Sequence, residues 1–69
     1  MAARVNLAEL RFNRGLSPEQ LGEKVGVSGR TIRRLERGRR PNPETAFRVA
    51  SFFGLQPADI WPVEEREAA

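Results

Sequence analysis

The sequence of 69 residues has room for one small domain, and twelve Lys and Arg against nine Asp and Glu give it a net charge of +3. It contains neither Cys nor His, which excludes disulfides, a thiol nucleophile and an imidazole base, and leaves only carboxylates for a zinc site. No apolar run approaches the roughly 18 residues of a membrane span, and the first six residues lack the apolar stretch of a signal peptide. We therefore expect a cytoplasmic protein with no membrane partner, no cofactor, no small-molecule substrate and no catalytic activity.

The basic charge is concentrated in one segment. Eleven of the twelve basic residues are Arg, and residues 30–40 hold six Arg against a single Glu. A cluster of this kind favours a polyanion, and Arg suits forked hydrogen bonds to phosphates or guanine edges. The ordinary alternative is a solvated helix face, but such faces usually mix the two signs of charge. Residues 59–69, by contrast, contain four acidic residues and one Arg.

Turn signals divide the chain into short helices, and no stretch alternates apolar and polar residues for long enough to predict a sheet. The expected helices cover about residues 4–13, 17–25, 28–37, 42–53 and 57–61, the first four followed by Gly15, Gly26, Gly38 and Gly54. The second has the clearest start, because Ser17-Pro18-Glu19-Gln20 supplies a hydroxyl cap, a proline and a Gln for a capping box. The sequence predicts an all-α domain over residues 1–63 and a short acidic tail over residues 64–69.

The second and third helices, joined by residues 26–28, have the pattern of a helix-turn-helix. Gly22 is small where the two helices approach each other, and Gly26 suits the turn. The apolar positions expected at their crossing are Leu21, Val25, Val27, Ile32 and Leu35. The alternative, an αα-hairpin that serves only for packing, is disfavoured by the neighbouring Arg cluster.

The sequence resembles the lambda-repressor-like, Cro/Xre-type helix-turn-helix domains over residues 5–61. The resemblance is carried by Leu10-Arg11, Arg14-Gly15-Leu16-Ser17, Glu19-Gln20-Leu21, Val25-Gly26-Val27-Ser28, Thr31-Ile32, Leu35-Glu36-Arg37-Gly38, Pro43-Glu44-Thr45, Val49-Ala50 and Gly54-Leu55. It implies a compact five-helix domain, a third helix in the DNA major groove and a role in transcriptional regulation. It also implies a partly buried ion pair between Arg11 and Glu36 that ties the first helix to the third.

The third helix separates into an apolar face and an arginine face. At about 100° per residue, its four arginines lie roughly 100° to 200° from Ile32. Residues near the start of such a helix reach base edges, so Arg30 and Arg34 are the expected guanine readers. The other expected base contacts are Ser28, Gly29 and Thr31. The expected phosphate contacts are Ser17, Gln20, Arg33, Arg37, Arg39 and Arg40, although Arg33 is placed where it suits a base equally well.

The sequence departs from the family at Pro18 and Gly29, where well-known members carry glutamines that bond to each other and touch DNA. At Pro18 we expect the phosphate contact either to be lost or to pass to Ser17, Glu19 or Gln20. Base reading then rests on Arg30, Thr31 and Arg34, which predicts a half-site containing guanine.

The apolar residues near the C-terminus exceed what the fourth helix needs for the core. We expect a homodimer through the fourth and fifth helices, with an interface that includes Phe52, Ile60, Trp61 and Val63. The alternative is that Trp61 caps the core of a monomer. The function that fits best is a phage or mobile-element repressor that binds a palindromic operator in double-stranded DNA; the alternative is an antitoxin or protein-interaction adaptor with the same fold.

Overall fold

A computed structural model describes residues 6–62, which form five helices and contain no strand. The helices are α1 (Leu7–Asn13), α2 (Pro18–Val25), α3 (Gly29–Glu36), α4 (Pro43–Phe52) and α5 (Pro57–Ile60). The predicted all-α architecture is therefore confirmed. The acidic tail, Val63 and residues 4–5 of the predicted first helix lie outside the described residues.

Polar side chains fix the starts of the helices. The hydroxyl of Ser17 accepts from the N–H of Gln20 at 3.0 Å, and the Gln20 carboxamide oxygen accepts from the N–H of Ser17 at 2.8 Å, which completes the predicted capping box. Asn6 caps α1 by accepting from the N–H of Ala8 at 2.8 Å. Its backbone is extended, so α1 begins at Leu7, and the prediction that this helix includes Asn6 was wrong.

The helix ends lie close to their predicted positions. Gly26 has φ of 84°, a conformation that is easy only for glycine, and its N–H bonds to the carbonyl of Gly22 at 2.7 Å. The third and fourth helices each end one residue earlier than predicted, because Arg37 and Phe53 are the residues that cap them. The final turn ends at Ile60, with Trp61 as its cap.

The core lies where α2, α3 and α4 meet. Leu21, Ile32 and Val49 are fully buried there, one from each helix. Val25 and Leu35 are also buried, and Val27 packs against the cluster from the turn, as the helix-turn-helix pattern predicts. A methyl group on Gly22 would lie 2.4 Å from the carbonyl oxygen of Val27, so this contact between α2 and the turn requires glycine.

The residues Arg11 and Glu36 lie together and join α1 to α3. Nε of Arg11 donates to one carboxylate oxygen of Glu36 at 2.6 Å, and Nη2 donates to the other at 3.2 Å. Nη1 donates to the carbonyl of Leu16 at 2.9 Å. This fork holds the C-terminal end of α3 in place, and with it the direction in which the outer face of α3 points.

Candidate nucleic-acid interface

The third helix presents an arginine face opposite the core. Ile32 and Leu35 are buried, whereas the arginines of α3 and the residue that caps it are exposed, namely Arg30, Arg33, Arg34 and Arg37. Because the two apolar residues lie three apart, α3 must turn one side inward and leave the other to solvent. The structure therefore gives the arginines the shared outward direction that the helical spacing predicts.

The arginines near α3 differ in what they bind within the protein. Within residues 6–62, Arg30, Arg34, Arg37 and Arg39 form no salt bridge, so their charges are available to a ligand. Arg40 donates from Nη2 to the carbonyl of Pro62 at 2.6 Å and keeps its charge unpaired among these residues. Each guanidinium offers up to five N–H donors.

Three of these arginines share one surface cleft. Arg34, Arg37 and Arg39 line a space of about 280 Å³ on the outer side of the C-terminal end of α3. Arg34, predicted to read a base, therefore lies beside two residues predicted to bind phosphate. Such a cluster of unpaired cations suits an anionic backbone that passes along the end of the helix.

At the N-terminal end of α3, Ser28 is mainly a helix cap. Its hydroxyl accepts from the N–H of Thr31 at 3.1 Å and lies 3.1 Å from the Thr31 hydroxyl, to which it donates. Gly29 follows without a side chain, and Arg30 is the first long side chain to project from the helix. Of these predicted base contacts, Arg30 has the longest reach.

The start of α2 is bonded within itself and to α3. The predicted phosphate contacts Ser17 and Gln20 bond to each other's backbone, which leaves the Gln20 NH₂ group as a donor for a ligand. Glu19 is paired with Arg33 of α3. The pKa of Glu19 is lowered, first by its own backbone N–H and then by the hydrogen bond from Arg33, so its carboxylate is charged at neutral pH.

Sequence reasoning missed two interactions of arginine side chains. The Glu19–Arg33 pair joins residues 14 positions apart, and Arg14 lies 5.2 Å and 5.1 Å from the ring centres of Phe52 and Phe53. Both contacts depend on how the helices cross, which helical spacing within one segment does not specify. For the Glu19–Arg33 pair, the one signal in the sequence was that the two residues carry opposite charges and lie on neighbouring helices.

The expected dimer residues lie in different environments. Ile60 is only 8% exposed and belongs to the monomer core, so assigning it to an interface was wrong: the turn of α5 directs it inward. Phe52 is half-buried beside Arg14, and Trp61 is half-buried against the core. The aromatic side chain left in solvent on α4 is Phe47, which is 63% exposed.

Two further observations concern metal sites and membrane spans. Residues 6–62 contain no group of three or more acidic residues placed to hold a metal ion. None of the five helices in this part of the chain is long and apolar enough to cross a membrane.

Comparisons with known proteins agree on the family. The family model described as helix-turn-helix matches residues 7–60, from the start of α1 to the end of α5. An uncharacterised HTH-type transcriptional regulator of Methanocaldococcus jannaschii is 42% identical over 53 residues, which are 75% of this chain and 80% of the relative. Similar regulators are 32% identical over 65 residues in Archaeoglobus fulgidus, 93% of each chain, and 36% identical over 58 residues in Bacillus subtilis, 83% of this chain and 88% of the relative. No solved structure matches.

Proposed function

The chain belongs to the helix-turn-helix family of transcriptional regulators, and from this premise we propose that it binds a specific double-stranded DNA site through the arginine face of α3. The family implies DNA-binding regulation, and we propose which residues contact the DNA. Arg30 and Arg34 contact base edges in the major groove, with Gly29 and Thr31 beside them. Arg37, Arg39 and Arg40 contact phosphates on the flanking backbone.

The observation that carries this proposal is the availability of charge on α3. Arg30 and Arg34 point away from the core and have no acidic partner in residues 6–62. A helix with a buried apolar stripe and a row of unpaired guanidiniums on the other side suits the major groove, whose width admits an α-helix. A charged face used only for solubility would more often mix acidic and basic residues.

We further propose that the protein is a repressor of the phage or mobile-element type that acts in the cytoplasm as a homodimer on a palindromic operator. One domain of this size covers a small area of DNA, whereas two copies place their recognition helices about 34 Å apart on one side of the duplex. Blocking a promoter in this way requires only occupancy of the site. Of the interface residues expected from the sequence, Phe52 and Trp61 remain candidates because they are half-buried rather than buried.

The proposal is tested by selecting bound sequences from a random duplex pool and then titrating the selected and a random duplex with the purified chain. We expect a site containing guanine, tighter binding to the selected duplex, and an affinity for both that falls with salt by a slope of about 0.9 per phosphate neutralised. No salt-sensitive binding to either duplex would contradict the proposal and favour the adaptor or antitoxin alternative, for which the exposed Phe47 offers a contact surface.

A further inference from the structure

One ion pair lies on the side of the molecule that the arginine face occupies. Of the three salt bridges in the described part of the chain, Arg11–Glu36 joins α1 to α3 and Arg48–Glu44 lies along α4. The third joins Glu19, at the start of α2, to Arg33 in the middle of α3, and both side chains are half-exposed, at 60% and 50%. This pair crosses from the start of α2 to the DNA-facing helix.

The position of Glu19 depends on a missing side chain. A Cβ atom on Gly29 would lie 2.9 Å from both Cγ and Oε2 of Glu19. The carboxylate of Glu19 therefore occupies the space beside α3 that a larger residue at position 29 would take. Gly29, a departure from the family pattern in the sequence, makes room for the pair.

The pairing makes Arg33 different from its neighbours. Arg30, Arg34 and Arg37 have no acidic partner in residues 6–62, whereas the charge of Arg33 is largely balanced by Glu19. A phosphate that approached Arg33 would also approach the carboxylate of Glu19, which repels it. A guanine edge carries no net charge and offers two acceptors, O6 and N7, which suits the guanidinium donors that Glu19 leaves available.

We propose that Glu19 is a positioning residue for DNA specificity, which holds Arg33 for a guanine edge and withholds it from phosphates. This inference rests on the proposed function and assigns Arg33, for which the sequence left base and phosphate contact open, to base reading. The carboxylate itself needs no contact with DNA. Its effect is to fix the guanidinium across the two helices and to lower the attraction of this part of the surface for the backbone of any sequence.

The test compares Glu19→Gln with the matched control Glu23→Gln, which removes the same charge from an exposed position of the same helix that has no salt bridge in the described part of the chain. We expect Glu19→Gln to steepen the salt dependence on random duplex by about 0.9, because Arg33 becomes available to one more phosphate. Selectivity at one guanine position should fall about fivefold or more, the loss expected when an oriented guanine contact is released. Glu23→Gln should leave that selectivity unchanged.

A second pair of variants separates positioning from a general charge effect. Gly29→Ala keeps every charge but displaces Glu19, so we expect it to lose the same base preference as Glu19→Gln while its melting temperature does not fall. Arg33→Ala should lose that preference too, yet leave the salt slope on random duplex unchanged.

The inference is overturned if Glu19→Gln and Glu23→Gln behave alike, or if Arg33→Ala lowers the slope on random duplex by about 0.9, which would make Arg33 a phosphate contact. Either result leaves the proposed function standing as long as the unaltered chain binds the selected duplex. If the unaltered chain binds no duplex in a salt-dependent way, the proposed function fails and this inference fails with it.

Discussion

The Arg11–Glu36 ion pair provides a quantitative test of how α3 is held. The two side chains are only 16% and 14% exposed, and the guanidinium makes two bonds to the carboxylate. Replacing Glu36 with Ala removes both acceptors and leaves Arg11 with its bond to the Leu16 carbonyl alone. The hydrogen bond with Glu36 is also the main reason why the pKa of Arg11 is raised, so the pair favours the charged guanidinium.

The expected cost of Glu36→Ala is about 2 kcal/mol. Breaking a fully buried pair costs about 3 to 5 kcal/mol, and the remaining exposure of Arg11 lets water recover part of that loss. A domain of this size is stable by only about 3 to 10 kcal/mol in total, at about 0.05 to 0.15 kcal/mol per residue. The melting temperature should therefore fall by about 8 to 16 °C, at about 4 to 8 °C for each kcal/mol.

The assay is thermal unfolding followed by circular dichroism, for Glu36→Ala, Arg11→Ala and the double variant. The double variant should be less destabilised than the sum of the two single ones, because the charge left behind is removed with its partner. Glu44→Ala is the matched control: it breaks the exposed pair with Arg48 and should cost well under about 1 kcal/mol. An unchanged melting temperature in Glu36→Ala, or strict additivity of the two single variants, would refute this account of the pair.

Other predictions concern packing and pH. Gly22→Ala should lower the free energy of unfolding, measured in urea, by about 1 to 3 kcal/mol, because its methyl group would lie 2.4 Å from the Val27 carbonyl oxygen. An unchanged urea midpoint would show that the turn can move to accommodate the methyl group. Ile60→Ala should lower the free energy of unfolding by about 2 kcal/mol or more at every protein concentration, since the side chain is buried within the monomer. A loss of stability that depends on protein concentration would instead indicate that Ile60 contributes to a dimer interface. The pKa of Glu19 lies below its ordinary value of 4.5, so its stabilising contribution is present above pH 4.5 and is lost as pH falls through the lowered pKa. An NMR titration of this carboxyl should show a higher pKa in Arg33→Ala, and no change would contradict the pairing.

Much of the fold was predictable because its signals are local. The capping box at Ser17 and Gln20 involves residues three apart, and the glycine turn at Gly26 is encoded by one residue. The start of α1 was misplaced because Asn6, a residue type that commonly caps helices, was placed within the helix, whereas its extended backbone and its side-chain bond to the N–H of Ala8 make it the N-cap. Local rules therefore placed the helices to within a few residues.

The candidate site was predictable in outline but not in its internal contacts. Helical spacing places the buried Ile32 and the arginines on opposite sides of α3, and this separation does not depend on how the other helices pack. The pairing of Arg33 with Glu19 depends on how α2 crosses α3, which the spacing within one helix does not specify. The burial of Ile60 likewise depends on how α5 packs onto the core. Counting apolar residues near the C-terminus indicated an excess but did not show which of them face inward.

We propose that Arg34 of α3 reads a base and that Arg39, which follows the helix, contacts a phosphate and so positions α3 on the duplex. The most direct test compares the binding selectivity of Arg34→Ala with that of Arg39→Ala. We expect Arg34→Ala to weaken binding to the selected duplex by about 1 to 3 kcal/mol and to relax the preference at one base pair, with a smaller loss on random duplex. Arg39→Ala should weaken both duplexes equally. Equal losses on the two duplexes for Arg34→Ala would contradict base reading by this residue.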